Sequence, residues 1–189
     1  MTDRQTILVP LAPGFEEIEA VAIVDVLRRA ELDVTLAGLS AGPVLGAHGI
    51  TLETDCALDE LEPSSIAALV LPGGQPGTDN LMADERILEL VRELQAQERT
   101  TAAICAAPMV LAKAGVLEGR PATSHPTVRD RLAGAEVQDA PRVVRSGSVF
   151  TSQGPGTALE FALALVAELK DASTAEALER AMLVATPAR

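Results

Sequence analysis

Two unbroken apolar runs, Ile7-Leu-Val-Pro-Leu11 and Ile66-Ala-Ala-Leu-Val-Leu71, leave this chain few ways to fold. A strand with one face in water alternates apolar and polar residues. A strand that is apolar at every position has to be covered on both faces, which is the situation inside a parallel sheet flanked by helices. The segments after the first run agree with this. Ala12-Pro-Gly-Phe15 reads as a loop and Glu16 to Glu31 as a helix, with Ile18, Val21, Ala22, Val24 and Leu27 on or near one side. Glu16 and Glu17 at its start and Arg28 and Arg29 at its end suit the helix macrodipole. Asp33 to Leu39 then returns as a second strand. The result is a βαβ unit, which predicts an α/β sandwich of three layers: a mostly parallel sheet with helices on both faces.

The later segments continue the pattern. Val44-Leu45 and Ile50 to Glu53 predict a short hairpin, Leu58 to Leu61 a turn of helix, and Glu85 to Gln97 an amphipathic helix carrying Ile87, Leu88, Val91 and Leu94. Pro121 to Ser124 reads as an extended piece and Thr127 to Leu132 as a brief helix. Arg142 to Arg145 and Val149 to Ser152 predict a hairpin around Gly147. Thr157 to Lys170 reads as a helix with a capping box between Thr157 and Glu160, and Thr174 to Val184 as a terminal helix.

A length of 189 residues suits one domain over positions 1–189, and 48% apolar content excludes disorder as the main state. A net charge of −12 argues against nucleic acid or an anionic membrane as partner. With three Phe and neither Trp nor Tyr, the chain also lacks the aromatics for base stacking. Pro108 and Lys113 interrupt the longest apolar stretch, so no transmembrane segment is expected. The start, Met-Thr-Asp-Arg-Gln, has no signal-peptide pattern, and two cysteines make no disulfide framework. Both point to a reducing cytoplasm.

Chemistry concentrates where strands end. Ala102 to Ile104 reads as a buried strand and Ala106 to Ala114 as a helix, with Pro108 in its first turn and Gly115 closing it. Cys105 therefore falls on a strand-to-helix turn. Over a helix N-terminus its thiol would ionise more readily, and Ala106 and Ala107 are small enough for a tight elbow. The alternative is a buried cysteine acting as a small hydrophobe. Gly73 and Gly74 end the third main strand and, with the Ala106 N–H, offer oxyanion donors, although Pro-Gly-Gly also makes a plain turn. Spacing favours Glu16, Glu17 and Glu19 as solvated first-turn charges. A Glu19 held among apolar groups would instead keep its proton and could exchange it with the thiol. His125 offers a base or an orienting group, or is a packing residue. His48 lies in a Gly-rich loop and reads as exposed, and Cys56 reads as structural. Two His and two Cys show no metal-ligand spacing.

Five motifs occur in register: Ala12-Pro-Gly-Phe-Glu-Glu-Ile-Glu-Ala-Val21, Val70-Leu-Pro-Gly-Gly74, Ala102-Ala-Ile-Cys-Ala-Ala-Pro108, Ser124-His-Pro126 and Thr151-Ser-Gln-Gly-Pro-Gly-Thr157. Together they resemble the ThiJ/PfpI superfamily in its DJ-one/YajL-like branch, from about residue 6 to about residue 184. The resemblance implies a flavodoxin-like fold, similar to class I glutamine amidotransferases, and a homodimer. It implies Cys105 as nucleophile, Glu19 as its protonated partner, Gly74 and Ala106 as oxyanion contacts and His125 as a nearby imidazole. The activities it implies need no cofactor. They are a glutathione-independent glyoxalase of the D-lactate dehydratase type and a deglycase, taking methylglyoxal, glyoxal or glycated protein. An oxidative-stress-responsive cysteine sensor or holdase chaperone is the alternative. Amidotransferase relatives carry Glu two residues after the His, whereas Thr127 stands there.

Overall fold

The computed structural model describes residues 5–184. Its centre is a seven-stranded sheet. The first strand, β1 (Thr6–Leu11), leads through α1 (Glu17–Arg29) to β2 (Val34–Gly38). Three two-residue strands follow: β3 (Val44–Leu45), β4 (Thr51–Leu52) and β5 (Cys56–Ala57). Then come β6 (Ile66–Leu71), α2 (Gly77–Ala83), α3 (Glu85–Ala96), β7 (Thr101–Ile104) and α4 (Pro108–Lys113). The C-terminal part holds β8 (Pro121–Ala122), β9 (Glu136–Val137), β10 (Val143–Ser146), β11 (Val149–Ser152), α5 (Ala158–Leu169) and α6 (Ala172–Ala181).

The strand order is β10-β11-β7-β6-β1-β2-β5, and every pairing is parallel except β10 with β11. Residue alternation sorts the side chains into two cores. Ile7, Val9, Leu11, Ala68, Val70, Ala102 and Ile104 face α1, α5 and α6. Leu8, Leu69, Leu71 and Ala103 face α3 and α4. Both sides of β1 are thus dry, which is why its sequence shows no polar alternation. The chain leaves β1 toward β2 on one side and has β6 on the other, so a crevice opens beyond the carboxyl ends of β1, β6 and β7. No helix among the described residues is long and apolar enough to cross a membrane.

Several expectations are corrected locally. The helix after Cys105 begins at Pro108, not Ala106, and residues 105–107 form a turn. Residues 77–83 form a helix that the sequence did not announce, since Gly-Thr-Asp-Asn carries no apolar period. Thr157 makes no capping box with Glu160. Its hydroxyl accepts from the Gly154 amide at 3.1 Å and meets Ser152 Oγ at 2.7 Å, while Glu160 accepts from Arg142 Nε. The last helix starts at Ala172, two residues early, because Asp171 accepts from the Thr174 amide at 2.7 Å and caps it. The two hairpins form as expected, β3 with β4 and β10 with β11.

Candidate active site

Cys105 follows the last residue of β7 and has φ +63°, a left-handed backbone that L residues rarely adopt. Its own peptide groups hold it there. Its N–H donates to the Ser152 carbonyl at 3.0 Å and its carbonyl accepts from the His125 amide at 2.8 Å. The turn is therefore pinned from the end of β11 and from the 125 loop at once. Such a turn lifts the side chain out of the strand and aims it into the crevice.

Glu19 reaches the same point from α1. It is fully buried, and Oε2 accepts from the Gly73 amide at 2.7 Å. Oε1 has no hydrogen-bond partner among the described residues, and the carboxyl as a whole interacts with the Cys105 side chain. The approach is close: a Cβ on Gly73 would lie 2.7 Å from Cys105 Cβ and 2.9 Å from Glu19 Oε2. Gly74, at φ +92°, must also be glycine, because a Cβ there would run into the Glu16 amide. The Gly74 and Ala106 amides are directed at the sulfur. Gly73 was expected among the oxyanion donors, but its N–H is occupied by Glu19, which leaves two of the three.

Burial governs the electrostatics. It lifts the Glu19 carboxyl from an ordinary 4.5 to about 7, against the pull of the Gly73 amide and the thiol. It also pushes the Cys105 thiol up, to about 12, and an ionised Glu19 adds to this, while the Gly74 and Ala106 amides act the other way. The expectation of a thiol acidified by a helix N-terminus is thus corrected: α4 has six residues and begins three positions beyond Cys105. What the site holds is a coupled pair. It sheds one proton near neutrality and keeps the second far above it. The remaining proton can sit on sulfur or on the Glu19 carboxyl. When it sits on Glu19, the carboxyl no longer opposes a thiolate, and two amides stabilise that thiolate.

The solvated reading of the first-turn glutamates is overturned, since Glu16, Glu17 and Glu19 are all buried. Glu16 caps α1, its Oε2 accepting from the Glu19 amide at 2.7 Å. Glu17 accepts from the His48 amide at 2.7 Å, the His48 ring at 2.9 Å and the Ile50 amide at 3.3 Å. Glu16, Glu17 and His48 are the one group among the described residues with metal-ligand proximity, but Glu16 and Glu17 already serve as acceptors. His48 is exposed, as expected, and Cys56 sits half-buried in β5 with a thiol raised by burial.

Above Cys105 opens a cavity of about 180 Å³ lined by Gly74, Gln75, Cys105, Ala106, His125, Thr127 and Val128. The structure thus gathers Cys105, Glu19, Gly73, Gly74, Ala106 and His125 in one place. Gln75, Thr127 and Val128 were not anticipated. Their one signal is adjacency, Gln75 following Gly74 and Thr127 standing two places after His125. The cavity can admit a small carbonyl compound, present a nucleophile to it, and supply amide donors for an oxyanion.

Residues 5–168 match the model of the DJ-1/PfpI family. The chain is 38% identical to protein dj-1beta of Drosophila melanogaster over 180 residues, covering 94% of this chain and 96% of that one. The crystal structure of the Drosophila protein superposes with a TM-score of 0.93, over 96% of this chain and 99% of that one. An oxidized DJ-1 of Toxoplasma gondii superposes at 0.91 with 33% identity, covering 96% and 100%. A protein named a deglycase, from Thermococcus kodakarensis, is 36% identical over 152 residues, 79% of this chain and 90% of its own length.

Proposed function

The chain belongs to the DJ-1/PfpI family, and from that premise we propose that it converts small α-oxoaldehydes such as methylglyoxal and glyoxal, or their early adducts on proteins, without glutathione or a cofactor. The observation that carries this reading is the buried Glu19 carboxyl, which interacts with the thiol of a cysteine on a left-handed turn. The deglycase name of the Thermococcus relative supports the substrate class.

With the pair's proton on Glu19, the Cys105 thiolate adds to the aldehyde carbon, and the aldehyde oxygen takes a proton to give a hemithioacetal. The Gly74 and Ala106 amides hold that oxygen. Glu19, now a carboxylate, removes the hydrogen on the same carbon as a proton, the electron pair forms a double bond to the ketone carbon, and the ketone oxygen takes up the hydroxyl proton of the first carbon. Glu19 returns its proton to the neighbouring carbon while the first oxygen, relieved of its own proton, closes to a carbonyl, which gives a 2-hydroxy thioester of Cys105. Water then cleaves the thioester, releasing the hydroxyacid and restoring the thiol. One carbon is oxidised and its neighbour reduced, so no external electron acceptor is required. His125 borders the cavity and contacts the substrate. Exposed apolar residues on α1 and the β3–β4 hairpin, Ile18, Val21, Leu45 and Ile50, favour a homodimer as the working form.

The deciding experiment is lactate formation from methylglyoxal without glutathione. Wild type forms lactate and Cys105→Ala and Cys105→Ser do not; retained turnover in Cys105→Ser overturns the mechanism. The oxidized Toxoplasma relative favours a second reading, in which Cys105 senses oxidants. Oxygens added to the sulfur would meet the same two amides and the Glu19 carboxyl. Mild peroxide would then add about 32 Da at Cys105 as a sulfinate, in a protein with negligible aldehyde turnover.

A further inference from the structure

His125 is held by hydrogen bonds at one nitrogen. Its Nδ1 lies 2.8 Å from Thr127 Oγ1 and 3.4 Å from the Thr127 amide, because His125 is the N-cap of the short helical turn Pro126–Arg131. An amide N–H can only donate, so Nδ1 is an acceptor and carries no proton when the ring is neutral. The Thr127 hydroxyl can then only donate to the same atom. The proton of the neutral ring must lie on Nε2. Both bonds that hold the ring are made at Nδ1, which leaves Nε2 for the cavity that His125 shares with Cys105 and Ala106.

We propose that Thr127 is a positioning residue that locks His125 in the Nε2–H tautomer, so that the imidazole meets the substrate as a hydrogen-bond donor and not as a base. This rests on the aldehyde-converting reading above. As Glu19 removes the proton from the first carbon, charge develops on the oxygen of the second. The Gly74 and Ala106 amides serve the first oxygen, and Nε2–H serves the second. No bond to His125 forms or breaks in this role. The carbon-bound proton removed by Glu19 is the one Glu19 returns, and the hydroxyl proton passes between the two substrate oxygens, so His125 does no acid–base work. Thr127 also lines the cavity, but its hydroxyl is engaged by the ring, and its effect on the reaction is exerted through the imidazole.

The test pairs a spectrum with kinetics. Long-range nitrogen–proton correlation of the imidazoles, recorded with rising pH until the nitrogen shifts show neutral rings, reads the tautomer directly. With two histidines in the chain, His48→Asn assigns the signals. Wild type and Thr127→Ser are expected to show a protonated Nε2 and a bare Nδ1 at His125. In Thr127→Val the long amide contact alone remains, and the spectrum shows a mixture of tautomers. kcat for methylglyoxal then falls roughly tenfold in Thr127→Val, with KM little changed, and recovers in Thr127→Ser. A protonated Nδ1 in wild type, or an unchanged tautomer in Thr127→Val, overturns the proposal. The spectrum needs no turnover, so a protein that forms no lactate refutes the function while leaving the tautomer result to be read by itself.

Discussion

At the scale of single residues, the site turns on where one proton resides. Glu19 is raised by burial and Cys105 by burial together with Glu19. Each group is thus a better anion while its neighbour holds the proton than while its neighbour is charged. A carboxamide at position 19 can still fill the space and meet the Gly73 amide with its carbonyl. It cannot exchange a proton with sulfur or with carbon. Glu19→Gln is therefore expected to fold and to lose about a hundredfold or more in lactate formation. Gly73→Ala tests the same packing from the backbone side. Its Cβ would sit 2.7 Å from Cys105 Cβ, 2.9 Å from the Ile104 carbonyl and 2.9 Å from Glu19 Oε2, which the Gly73 amide itself holds in place. The expected loss is about 1–3 kcal/mol of stability, measured by urea unfolding, together with activity. An active, fully stable Gly73→Ala protein would show that the elbow is looser than drawn.

At the scale of elements, α1 does two jobs with adjacent acids. Glu19 serves the thiol, and Glu17, two residues earlier, ties down the 46–50 loop. Burial alone would raise the Glu17 carboxyl, but the His48 ring and the amides of His48 and Ile50 outweigh it and hold it below the ordinary carboxylate range. Glu17→Ala leaves those two amides to water in an exposed loop. The expected cost is about 1 kcal/mol, with faster hydrogen exchange at the His48 and Ile50 amides and none at α3. Equal protection in the variant would mean that the loop is held by other contacts. The same helix shows what a sequence can reveal about elements. The Cys105 turn was legible because its signals, a short apolar strand and a proline three places on, are local. The burial of Glu16, Glu17 and Glu19 was not, because the covering groups come from residues 46–50 and 73, far along the chain. Spacing within one helix carries no record of what packs on it. The failed Thr157–Glu160 box has the same cause, since Ser152 and Arg142 compete for those side chains from outside the helix.

At the scale of the whole molecule, the sheet, its parallel sense and its two helical layers were readable from unbroken apolar runs, because a doubly covered strand has one composition wherever it occurs. The strand order was not readable, and the site depends on it: β1, β6 and β7 must be neighbours for Glu19, Gly73 and Cys105 to meet. That dependence has a thermodynamic consequence. The fold holds a carboxyl at about 7 that in the unfolded chain titrates near 4.5. Between those values the native state binds more protons than the unfolded state, so stability falls as pH rises. The contribution is fully present below pH 4.5 and is lost through about 7, on the order of 3 kcal/mol for a shift of this size. Lowered acids such as Asp171, at about 2, and Asp84 act oppositely and only in the acid range. The raised His48 ring loses its contribution at higher pH in any variant that keeps Glu17. Subtracting the urea-unfolding profile of Glu19→Gln from that of wild type isolates the carboxyl. The difference is expected to move against wild type by a few kcal/mol between pH 4.5 and 7.5 and to be level on either side of this window, until the thiol titrates. A flat difference across the window would mean that Glu19 is ionised throughout, and a carboxylate that never holds a proton near neutrality has none to trade with Cys105.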